Sequence, residues 1–163
     1  MVKDKLKEWP DMVESFECYT AIALWNCSSN IKFPDKLEFS KLKTLFIGRE
    51  EWDDLLVVSS TFFEEMKALQ LLYLQSVYFS LKGFNSLPNL KTLWCEYCKL
   101  ENFSSSQTNI RSLKILSLIE TEALHASEVQ LGGKYGTKLT VMLFGSACQS
   151  NEKSSPPCWS APN

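Results

Sequence analysis

Apolar residues recur along this chain in one short figure: an apolar anchor, two variable positions, a second anchor, one variable position and a third anchor. Tyr19, Ile22 and Leu24 make the first copy, and Leu42, Leu45 and Ile47 the second. Leu69, Leu72 and Leu74 follow, then Leu90, Leu93 and Cys95, then Leu113, Leu116 and Leu118. The first anchors stand at 19, 42, 69, 90 and 113, in steps of 23, 27, 21 and 23 residues. Two-residue spacing between second and third anchors puts both on one face of a strand. Each copy therefore predicts a short strand with one buried face, and no such strand can bury that face alone. Recurrence at this period predicts coils stacked on one another. Leu139, Met142 and Phe144 form a degraded sixth copy, 26 residues beyond Leu113.

The fourth copy is the fullest. It runs Leu90-Lys-Thr-Leu93-Trp-Cys95-Glu-Tyr-Cys98-Lys-Leu100 and fills every anchor of the leucine-rich-repeat template. Cys98 takes the slot where Asn or Cys holds backbone groups at the bend, and Cys27 takes it in the first copy. The expected fold is an α/β leucine-rich-repeat solenoid. Five to six short parallel strands would line a concave face, with short helices, turns and loops on the convex face. Thr61 and Glu64 have capping-box spacing ahead of a short helix, which would turn Phe62, Phe63, Met66 and Leu69 into the core. Pro88 marks a turn feeding the next strand. The expected organisation is a linker over 1–18, repeats over 19–131, the degraded copy over 132–149 and a disordered polar tail over 150–163.

The 17 basic and 19 acidic residues nearly balance, at a formal charge of −2, so no field draws in a nucleic acid. No apolar run is long enough for a membrane span. The N-terminal stretch lacks the apolar centre of a secretory signal. The expectation is a cytoplasmic chain with reduced thiols. Cys95 and Cys98 have the spacing of a redox or zinc pair, but no second pair or His cluster completes four ligands. The repeat already accounts for Cys27, Cys95 and Cys98. No metal, cofactor or catalytic residue is expected. The single histidine, His125, reads as a convex-side loop residue. Glu64 and Glu65 read as an exposed helix face, and the Gly132-Gly133 pair as a turn.

A binding surface has more support. The residue between second and third anchors faces away from the core, which gives the series Ala23, Phe46, Tyr73, Trp94 and Ser117. Three consecutive aromatics would stack in one column. Trp25 and Tyr97, just past the third anchors of their copies, are expected to face outward as well. Exposed aromatic clusters are common anchors for partner proteins. Lys43, Arg49, Lys91, Glu96, Lys114 and Glu120 surround the column, and their mixed signs favour a protein over a polyanion. Trp25, Phe46, Arg49, Tyr73, Trp94 and Tyr97 are the candidate protein-binding residues. The same column could instead cover itself or pack on another domain.

Lys7-Glu-Trp9-Pro10 followed by Tyr19-Thr-Ala-Ile22-Ala-Leu24 resembles the segment that joins nucleotide-binding domain to repeats in plant intracellular immune receptors. These are the coiled-coil, nucleotide-binding, leucine-rich-repeat disease resistance proteins. Thr61-Phe-Phe-Glu-Glu-Met66-Lys-Ala-Leu69 resembles their "FFEGM-K-L" repeat, and Leu87-Pro-Asn-Leu90-Lys-Thr-Leu93 and Ser112-Leu-Lys-Ile-Leu116-Ser-Leu118 have the same style. The likeness covers about Lys5 to about Leu131. It implies protein recognition in plant defence, with a pathogen effector, a modified host protein or the receptor's own nucleotide-binding domain as partner. The family's phosphate-binding loop and coiled-coil heptads have no counterpart here, so the chain reads as a truncated copy. The alternatives are a non-functional product of a decayed resistance gene and a leucine-rich-repeat adaptor unrelated to immunity.

Overall fold

The computed structural model describes residues 1–5, 7–9, 18–35, 39–50, 54–80, 84, 86–101, 112–123 and 140–144. His125, the Gly132-Gly133 pair and the segment 150–163 lie outside them. Seven strands form one parallel sheet in the order β1 (Val2–Asp4), β2 (Ala21–Trp25), β3 (Thr44–Ile47), β5 (Leu71–Gln75), β7 (Thr92–Glu96), β9 (Ile115–Ile119) and β11 (Thr140–Phe144). The five expected copies supply β2, β3, β5, β7 and β9, paired with their anchors in line: Ile22 opposite Leu45, Leu45 opposite Leu72, Leu72 opposite Leu93, Leu93 opposite Leu116. Second and third anchors are all buried, none more than 4% exposed. Burial of a Leu or Ile side chain is worth roughly 1.5–3 kcal/mol, and a one-residue slip would turn every anchor to the other face. That is what fixes this register.

β1 lies within the stretch expected to be a linker. It pairs Val2–Asp4 with Ala23–Trp25 and forms one edge of the sheet. Lys3, Asp4 and Lys5 put charge on that edge, which discourages further strand addition. At the other edge, Val141 and Leu143 stand opposite Leu116 and Leu118. The sixth copy is therefore shifted by one residue from the expected Met142 and Phe144.

Beyond the main sheet the chain bends sharply. Lys5, Asn26, Ser76, Tyr97 and Glu120 have φ between 45° and 56°. Asn26, Ser76, Tyr97 and Glu120 each lie two positions past a third anchor, and Lys5 follows the residue paired with Trp25. Left-handed backbone costs a non-glycine residue roughly 1–2 kcal/mol, and coil-to-coil hydrogen bonds offset it. Ser76 N–H donates to the Glu96 carbonyl at 2.9 Å, and Tyr97 N–H to the Ile119 carbonyl at 2.9 Å. Cys98 completes the bend: its thiol donates to the Leu74 carbonyl at 3.4 Å, and its N–H donates to Thr121 Oγ1 at 3.4 Å. The cysteine slot thus does what its place in the repeat implies.

The convex-side expectation needs correction. Among the described residues no α-helix follows the bends. A second parallel sheet does, in the order β10 (Glu122–Ala123), β8 (Lys99–Glu101), β6 (Val77–Ser80) and β4 (Leu56–Val58). The coil is therefore β-solenoid-like, with two sheets meeting at the left-handed corner. Leu56, Val58, Val77, Phe79 and Leu100 face the core from it, while Val57 is 65% exposed. The expected helix is a single 3-10 turn, Ser60–Phe63. Its cap is Ser59, whose Oγ accepts from Thr61 N–H at 3.3 Å, and not Thr61. The Thr61 hydroxyl turns instead to the Asp35 carboxylate. Glu64 ends the turn, its N–H donating to the Thr61 carbonyl, and Glu65 pairs with Lys67 at 3.5 Å. Phe62, Phe63, Met66 and Leu69 are fully buried, as expected. Phe39, Phe62, Phe63, Phe79 and Phe84 carry ring contacts of 5.1–6.4 Å from coil to coil. Trp9 joins them edge-on to Phe62 at 5.7 Å.

Candidate recognition face

Because the anchors point inward, alternate residues of the main sheet point outward in columns. Ala23, Phe46, Tyr73, Trp94 and Ser117 share one register line. Phe46 and Tyr73 have ring centroids 5.6 Å apart, and Tyr73 and Trp94 6.3 Å. These are the separations of offset and tilted aromatic pairs. All three side chains are half-buried, so each keeps ring surface toward solvent. Ser117 follows Trp94 in the line and is buried, and Met142 of β11 stands opposite it.

Trp25 joins this column from the side. Its ring lies 6.0 Å from Phe46 and 5.7 Å from Tyr73. Tyr73 is two strands away, since β3 lies between β2 and β5. The ring crosses because the position beside it, just past the end of β3, is Gly48. A Cβ at Gly48 would stand 2.8 Å from Trp25 Cζ3 and 3.1 Å from Gln75 Oε1. Gly48 is thus a notch that seats the indole, the close approach that a strand glycine often marks.

Tyr97 and Arg49 do not belong to the column. The slot just past the third anchor Cys95 is Glu96, which pairs with Gln75 and Ile119. Tyr97 is one residue further on, at the left-handed corner with φ 52°. Its expected outward strand position is therefore a bend position. Arg49 follows Gly48 in the same row, and its guanidinium donates to the Asp54 carbonyl at 3.4 Å.

Glu96 is the polar centre of the face. Tyr73 Oη donates to Glu96 Oε2 at 2.8 Å, and Trp94 Nε1 donates to Oε1 at 2.9 Å. Two columns are tied together by one carboxylate. Burial, then the Glu96 hydrogen bond and charge, push the Tyr73 phenol well above its ordinary range, so it remains a donor. Lys43, Lys91 and Lys114 line the other end of the strands, where Lys114 N–H donates to the Lys91 carbonyl at 2.8 Å. Sequence reasoning put Glu96 only among the surrounding charges and passed over Gly48. The signals were there: a lone glycine beside three large outward residues, and an acid two positions from Trp94.

The thiols are internal to the stack. Cys95 and Cys98 are free and buried, as is Cys27. Burial holds the Cys27 thiol up at about 11 and raises Cys95 strongly, with Cys98 adding to the latter. A thiol kept protonated is a poor nucleophile and a poor metal ligand. No group of three or more metal-binding side chains occurs among the described residues. Compared with known proteins, the chain matches no family model, no curated protein and no solved structure.

Proposed function

We propose that this chain is a leucine-rich-repeat recognition module that binds a partner protein through the outward face of its main sheet. The observation that carries this reading is the continuous aromatic surface of Trp25, Phe46, Tyr73 and Trp94. Aromatic side chains with one face in solvent and neighbours fixing their rotamers lose little entropy on binding, and they dominate interface energetics. The resemblance of Glu8-Trp9-Pro10 and Phe62-Phe63-Glu64-Glu65-Met66 to plant intracellular immune receptors supports a role in defence. On that reading the partner is a receptor nucleotide-binding domain, a pathogen effector or a modified host protein, met in the cytoplasm. The role is binding, not catalysis. No helix among the described residues is long and apolar enough to cross a membrane.

The test is association of the purified chain with the nucleotide-binding domain of a plant receptor, measured beside Trp94→Ala and Phe46→Ala. A hot-spot aromatic is worth about 2 kcal/mol or more, so each variant should weaken binding by roughly thirtyfold. Tight binding that both folded variants retain would place recognition elsewhere on the molecule.

A further inference from the structure

We propose that Glu96, Tyr73 and Trp94 form a receptor for an arginine side chain presented by the partner protein. This rests on the reading of the sheet face as a recognition surface and names the chemistry that the face selects.

The first observation is charge. Glu65 and Glu122 pair with Lys67 and Lys99, at 3.5 Å and 3.3 Å. Glu96 is held instead by two neutral donors, one on each oxygen. Neutral donors fix the carboxylate and leave its negative charge in place. Lys91, the basic residue at the far end of the same strand, stands five positions away, roughly 16 Å at 3.3 Å per residue. That exceeds the screening length of about 8 Å at physiological salt. The carboxylate is thus oriented, and neither group that holds it carries a positive charge.

The second observation is what surrounds it. The two donors are aromatic, their centroids 6.3 Å apart, with Phe46 and Trp25 continuing the surface beyond Tyr73. A cation within about 6 Å of a ring centroid is attracted by the ring face, most strongly by Trp. A planar guanidinium can lie on the ring and direct its N–H edge at a carboxylate together, which the compact ammonium of Lys cannot do. Each Glu96 oxygen already accepts one hydrogen bond and keeps capacity for a second. The geometry suits a flat cation with two donors on one edge.

The experiment titrates the whole chain with two capped pentapeptides, acetyl-Gly-Ser-Arg-Ser-Gly-amide and its citrulline counterpart. Citrulline keeps the shape and removes the charge. The indole N–H resonance of Trp94, assigned from Trp94→Phe, reports occupancy. The arginine peptide should shift that resonance and bind about tenfold tighter or more than the citrulline peptide. Glu96→Gln should reduce it to the citrulline level. Equal binding of the two peptides would overturn the proposal. That comparison uses the unaltered protein, so it stands even if Glu96→Gln fails to fold. Neutral and acidic peptides carrying Leu or Phe separate this proposal from the broader reading. If they shift Trp94, lose affinity in Phe46→Ala, and the arginine peptide does not bind, arginine selection fails and recognition by the face survives. If no peptide of any charge shifts Trp94, arginine selection fails, and the broader reading is decided by association with the nucleotide-binding domain.

Discussion

Gly48→Ala tests how the aromatic face is assembled. The added methyl would meet Trp25 Cζ3 at 2.8 Å and Cε3 at 3.0 Å, so the indole must leave its seat. Trp25 would then lose its contacts with Phe46 and Tyr73. Such aromatic contacts are worth about 0.5–1.5 kcal/mol each beyond area burial. Against this, Ala in place of Gly in extended backbone gains about 0.5–1 kcal/mol, and Gly48 does not occupy the left-handed region that would penalise a side chain. The net cost should be roughly 0.5–1.5 kcal/mol. In a Trp25→Ala background nothing remains to clash, and the same substitution should stabilise by about 0.5–1 kcal/mol. Urea unfolding of the four proteins gives the coupling directly, expected at roughly 1–2.5 kcal/mol. If Gly48→Ala costs the same with and without Trp25, the indole does not lie across the notch, and Trp25 is not part of a continuous aromatic face.

Leu93→Ala should lower stability by roughly 2–5 kcal/mol through a core cavity, since Leu93 is 1% exposed between Leu72 and Leu116. Trp94→Ala should cost less, about 1–3 kcal/mol, from the contact with Tyr73 and the bond to Glu96; a reversed order in urea melts would mean the strand is turned over. Stability should fall as pH rises from 9 toward 11, because the unfolded chain releases the Cys27 proton near 9 while the folded chain holds it to about 11. Cys27→Val should flatten that slope in melts across the window, and an unchanged slope would show that the thiol is not held protonated by the fold. A thiol reagent at neutral pH should modify exposed Cys18 before Cys27, Cys95 or Cys98; fast labelling of Cys95 in peptide maps would contradict its burial.

The main sheet was legible because its signal is redundant. Five anchored copies specify the same face, and a slip in any one would bury the wrong residues beside correct neighbours. Where redundancy ended, so did the reading. The last copy offered Met142 and Phe144 as anchors, and the backbone pairs Val141 and Leu143 instead. Both choices are apolar, so hydrophobicity could not decide between them. The second sheet was hidden for a different reason. Thr61-x-x-Glu64 invited a capped helix, yet Phe62 and Phe63 must both enter the core, and one tight 3-10 turn achieves this. The β signal lay in Leu56-Val57-Val58 and Val77-Tyr78-Phe79, where β-branched and aromatic residues alternate inward and outward. Three or four residues of alternation are easily passed over beside a familiar helix motif.

The candidate recognition face divides along the same line. Phe46, Tyr73 and Trp94 could be aligned from spacing alone, because their register follows from the anchors. Tyr97 could not, because one residue past Glu96 the backbone turns left-handed and strand parity ends. Parity places a side chain only while the backbone remains extended. The corner thus decides which residue closes the aromatic face. It hands that position to a carboxylate and sends the tyrosine around the bend. The consequence is chemical: an outward Tyr97 would have made the face purely aromatic and indifferent to charge. With Glu96 there, held by Tyr73 and Trp94, the surface carries one fixed negative charge among rings. Under the proposed role, selectivity on this face comes from where each coil bends as much as from which aromatics the strands display.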